Sequence, residues 1–119
     1  MQQTANCINE EGIMVERLPY DIPSEGLKKD DYIVTRATDF YNGSGMYILE
    51  HNGKCVIARC IELTDGTIQV SETATASSTT MSAKGFCKVV SRKVFARITV
   101  EENLPTRAIG QLNEFLMRS

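Results

Sequence analysis

From Ile13 onward the apolar residues of this chain fall in short runs rich in Val, Ile and Tyr, each closed by Gly, Asn, Asp or Ser. Runs of that length with turn residues between them read as strands. Ile13 to Leu18 alternates loosely and predicts a first strand. "PYDIPSEGLKKDD" follows with two prolines, a glycine and four acidic residues, and reads as loop or turn. "YIVTRA", residues 32–37, is β-rich, and "DFYNGSG" after it supplies turn residues.

The stretch "MYILEHNGKCVIARCIEL" predicts a hairpin: Met46 to Glu50, a turn at Asn52-Gly53, then Lys54 to Leu63. Asn-Gly is a strong hairpin signal because both residues tolerate the positive φ of a type I′ turn. Asp65-Gly66 predicts a second such turn into a strand at Thr67 to Ser71, so three consecutive strands form a meander. Residues 72–84, "ETATASSTTMSAK", are small and polar, which predicts a surface loop or an irregular edge. "FCKVVSRKVFARITV", residues 86–100, returns to strand composition, as two short strands or one long bent strand with a bend or bulge at Ser91-Arg92-Lys93.

The period then changes. Asn103 is an N-cap candidate near Pro105, and Ile109, Leu112 and Leu116 are spaced for one face of a short helix, with Phe115 at its margin and Gly110 weakening it. The pattern predicts a mainly β fold, a small, twisted, partly closed antiparallel sheet with a short C-terminal helix. Residues 1–12 read as a leader or linker remnant, 13–100 as the β domain and 101–119 as the helical tail.

A length of 119 residues fits one domain with one core. The apolar share of 42 % and charged share of 24 % are those of a folding globular chain rather than a disordered one. A net charge of −2 gives no basic footprint for gripping a polyanion, so DNA contact would fall to another segment. No apolar run approaches the roughly 18 to 20 residues needed to cross a bilayer, and "MQQTANCINEEG" lacks a signal-peptide core, so a cytoplasmic protein without membrane contact is expected. The four cysteines, Cys7, Cys55, Cys60 and Cys87, include no close pair, and His51 is the lone histidine. No metal site and no cofactor is expected from them. Cys55 and Cys60, an odd number of residues apart, should point to opposite faces of a strand.

The order "GLKKDDYIVTRA", "NGSGMYILEHNGKCVIARCIEL", "DGTIQVSE", "FCKVVSRKVFARI" resembles the C-terminal domain of LexA and phage repressors, the peptidase-like family that includes UmuD. Those domains run from an "xGDxVxV" segment through a "GxxYVL" strand, a hairpin, a "VKRL" strand and a "DGxIxLxS" strand to a closing "VxGRVV" strand. Here Asp30-Asp31 stands where Gly-Asp is usual, "GMYIL" matches the second segment, and Val56 to Cys60 matches the "VKRL" strand. The likeness spans residues 22–98 and rests on the ordered set of segments rather than on any one.

In the self-cleaving members a lysine just before the arginine is the general base for a serine nucleophile. Ala58 stands at that lysine position, directly before Arg59, and Ile22 falls at the serine position, with Ser24 two residues out of register. The resemblance therefore implies a domain that has lost the dyad and does not cleave, with Arg59 kept for structure. It implies an oligomerisation and regulatory domain of a prophage-type transcriptional repressor, a homodimer or higher homo-oligomer that lends its symmetry to a separate helix-turn-helix domain. An antirepressor protein is the candidate trigger where cleavage cannot relieve repression. The interface is expected on Val94, Phe95, Ala96 and Ile98, because related domains pair there and "KVFARI" alternates. Ile109, Leu112, Phe115 and Leu116 are a second candidate partner surface. Two other readings stand beside this one: a self-cleaving peptidase using Ser24 with Lys54 or Lys84 as base, and a stand-alone protein-binding module.

Overall fold

The computed structural model describes residues 12–99, and the expected helical tail lies outside the described residues, as does the leader apart from Gly12. In chain order the elements are β1 (Ile13–Arg17), a 3-10 turn (Pro23–Glu25), β2 (Tyr32–Ala37), β3 (Gly45–His51), β4 (Lys54–Glu62), β5 (Ile68–Glu72), β6 (Ser78–Met81), α1 (Ala83–Val89) and β7 (Val90–Ile98). The strands are ordered β1-β2-β7-β3-β4-β5-β6 in an open antiparallel sheet, a mainly β fold. Among the described residues two compact units are distinguishable, one holding 12–36 and 95–99, the other Ala37–Val94.

In the first unit β1 and β2 pair antiparallel from Ile13↔Arg36 to Arg17↔Tyr32. The connection between them is built rather than loose. Leu18, Ile22 and Leu27 are all buried, and Ile22 and Leu27 exchange backbone hydrogen bonds of 2.9 and 3.1 Å. Burying three aliphatic side chains holds a segment that composition alone marks as loop. The buried Asp31 carboxylate accepts from the Lys28 backbone N–H at 2.9 Å, and Asp30 beside it takes the left-handed conformation, φ 76°.

In the second unit β3 and β4 run from Gly45↔Cys60 to His51↔Lys54, and β4 and β5 from Ala58↔Glu72 to Glu62↔Ile68. Asn52 and Gly53 both have positive φ, 53° and 76°, as the type I′ turn requires. The Asp65-Gly66 turn differs from expectation, because Gly66 has positive φ (88°) and Asp65 does not. Gly66 N–H donates to the Leu63 carbonyl and Leu63 N–H to the Thr67 carbonyl, so the connection is longer than a two-residue I′ loop. The Asp65 carboxylate holds it by accepting from the Thr67 N–H and hydroxyl, 3.0 and 2.6 Å.

The polar run that follows contributes β6 as an edge strand, in register with β5 from Ile68↔Met81 to Ser71↔Ser78. A correction falls on the next segment: Phe86 to Val89 are helical, not extended. Ser82 is the N-cap and its hydroxyl accepts from the Gly85 N–H at 2.9 Å. Phe86 is buried while Cys87 and Lys88 are exposed, the pattern of a helix with one face on the core. β7 begins directly after, and its pairing with β3 steps from Leu49↔Val90 to Ile48↔Arg92, leaving Ser91 as a bulge inside the predicted 91–93 stretch.

Candidate functional site

Alternation along β4 decides what each of its side chains does. Ala58 and Cys60 point into the core of the second unit, where Ala58 is fully buried and sits directly opposite Tyr47 and Glu72. Arg59, between them, points the other way; it is half-buried, with Met46 and Ser71 as direct cross-strand neighbours. The arginine therefore lies on the face of β4 away from the Tyr47–Phe86 core, beside Ile57 and the cross-strand Met46, both buried. Burial pushes the Cys60 thiol up to about 12, with the charge of Arg59 pulling weakly the other way. At neutral pH that thiol is protonated and inert. Cys55 is exposed and Cys60 buried, as the odd spacing predicts, and Cys87 is exposed on α1.

Ile22, at the expected serine position, is also fully buried. Ser24 is exposed in the 3-10 turn of the first unit, whereas Lys54 and Lys84 are exposed at the start of β4 and on α1 in the second. No group of three or more His, Cys, Asp or Glu side chains is arranged for a metal ion among the described residues.

The expected interface residues fall on β7. Phe95 is 49 % exposed, Ala96 is exposed, and Val94 and Ile98 are half-buried. The Arg36 guanidinium lies 5.6 Å from the centroid of the Phe95 ring, a cation–π contact that orients an aromatic side chain otherwise open to solvent. Two residues on, Arg97 donates to the Glu25 carbonyl at 2.5 Å and to its carboxylate at 3.2 Å. That pair anchors the 3-10 turn beside Phe95's neighbour on β7. Ile109, Leu112, Phe115 and Leu116 lie outside the described residues.

Sequence reading missed the side chains that hold the second unit together. Tyr41, Tyr47 and Phe86 form an aromatic cluster with centroid separations of 5.2 to 5.8 Å. The Tyr47 hydroxyl donates to the Gly43 carbonyl at 2.6 Å and accepts from the Asn42 N–H at 3.0 Å. Lys93 crosses the same loop, its Nζ donating to the Asn42 carbonyl at 2.9 Å and lying 5.4 Å from the Tyr47 ring centroid. Phe86 and Lys93 are distant in sequence from the loop and from Tyr47, and no spacing rule announces them.

No protein-family model, no curated protein and no solved structure matches this chain. No helix among the described residues is long and apolar enough to cross a membrane.

Proposed function

We propose that this chain is a non-cleaving oligomerisation and regulatory domain of a prophage-type transcriptional repressor, similar in plan to the C-terminal domain of LexA. The observation that carries the reading is the state of Ala58 and Ile22. Both are fully buried apolar residues at the places where the resemblance expects a lysine base and a serine nucleophile. A methyl and a sec-butyl group have no proton to exchange, so those positions serve packing.

Asp30 supports the same alignment from a different direction. It stands where the family carries glycine, and its φ of 76° is a conformation that glycine adopts without cost. Phe95, braced by Arg36, is the surface on which two copies would meet. Pairing of subunits would raise the effective concentration of a separate DNA-binding domain at two half-sites. With no cleavage to end repression, an antirepressor protein binding the same domain is the release step that fits, and the setting is the cytoplasm.

The test is intact mass after prolonged incubation in mildly alkaline buffer, conditions that favour lysine-assisted serine attack. The proposal expects one undivided species. Cleavage that disappears in a Ser24→Ala variant would replace it with the self-cleaving reading.

A further inference from the structure

β6 is the last strand of the sheet, paired with β5 on one side only among the described residues. Its four residues, Ser78, Thr79, Thr80 and Met81, are exposed or half-exposed. Terminal strands present a row of backbone N–H and C=O groups that another strand can complete. Folded proteins usually guard such a row with lysine, proline, a bulge or an inward-pointing charge. Here, apart from the shortness of the strand, those guards are missing. The pairing of β6 with β5 is regular throughout, and the run from Thr73 to Ala83 contains neither a charged residue nor a proline.

We infer that β6 is a self-association edge whose occupant is β6 of a second copy of this chain, paired antiparallel about a two-fold axis. The chemistry of the edge selects that partner. A strand of different sequence would be recognised by charge or by side-chain pockets, and this edge carries no charge. What it offers is backbone hydrogen bonding and hydroxyls, which match their own image. Ser71 and Ser78 already show the hydroxyl pairing on the inner side, with their Oγ atoms 3.3 Å apart. Neutrality also matters: two copies approach without the like-charge repulsion that a lysine-bearing edge would impose. A two-fold contact is closed, so it adds one partner and stops. A strand of four residues is short, and the contact forms only at high protein concentration.

β6 and Phe95 belong to different units, so each association is addressed by its own variant. The experiment is sedimentation velocity of the full chain over a dilution series into the high-micromolar range, in a Phe95→Asp background, with folding checked by circular dichroism. Association should persist in that background, weaken by about tenfold or more with Thr80→Lys or Thr80→Glu, and return when those two variants are mixed. Return on mixing is the decisive readout, because simple loss of fold cannot produce it. A Phe95→Asp protein that stays monomeric at every concentration overturns the inference. So does association that the Thr80 variants leave unchanged, or that mixing fails to restore.

Discussion

Asp30 has a left-handed backbone, φ 76°, in a residue that carries a Cβ. Aspartate tolerates that region better than most residues, and glycine tolerates it best. Asp30→Gly should therefore leave stability unchanged or raise it, while Asp30→Val should lower it by about 1 kcal/mol or more. Denaturation midpoints in urea distinguish the two, and equal losses from both would mean that the backbone there is not what the cost depends on. Gly66 tests the same physics with space removed as a factor, since a Cβ at this position meets nothing within 4 Å and φ is 88°. Gly66→Val should cost about 1 kcal/mol or more from conformation alone, and Gly66→Asn clearly less. Cys60 makes a pH prediction. Its thiol is raised from 9.0 to about 12 in the folded chain by burial, so the unfolded chain loses its proton first. Stability from this group is intact below pH 9 and declines as pH rises from 9.0 toward about 12. Under native conditions near neutral pH, a thiol-alkylating reagent should label Cys55 and Cys87 and spare Cys60 until the chain is unfolded. Labelling of Cys60 at the rate of the other two would refute its burial.

At the scale of elements, what the sequence disclosed was what is encoded locally. The β3–β4 hairpin needs only Asn52-Gly53 and two flanking β-rich runs, and both are contiguous in the chain. The bulge at Ser91 was legible for the same reason: a polar, charged triplet interrupts an apolar run. Helix α1 was not legible, because seven residues give little periodicity and Phe86, Cys87, Val89 and Val90 suit a strand equally well by composition. Its signal was Ser82, hidden in a run of serines and threonines that reads as loop. Ser82→Ala should destabilise the chain by about 1 kcal/mol through loss of the bond to Gly85 N–H, measured by thermal or chemical unfolding. An unchanged midpoint would mean that Phe86 packing alone holds the helix. The placement of β7 between β2 and β3 depends on pairings between distant segments and has no local signature. The Arg36–Phe95 contact is hidden for the same reason, and the candidate interface was expected from the resemblance and from the alternation of "KVFARI" rather than from that contact.

In the whole molecule two positions, Ala58 and Ile22, are buried and apolar, and the aromatic Phe95 is exposed. On the proposed reading, Ala58 and Ile22 fill by packing the positions where the resemblance expects a dyad, and Phe95 with Arg36 forms the surface on which copies would pair. If the surface works as proposed, replacing its anchor must separate assembly from folding. Introducing a carboxylate at Phe95 places a charge in a contact that would be desolvated on pairing, which costs far more than it does in solvent. Sedimentation velocity at low-micromolar concentration, where the β6 edge is unpaired, measures this directly on the parent chain and on Phe95→Asp. The account predicts a dimer for the parent and a monomer with unchanged circular dichroism for the variant. A monomeric parent, or a variant that sediments as the parent does, would contradict it.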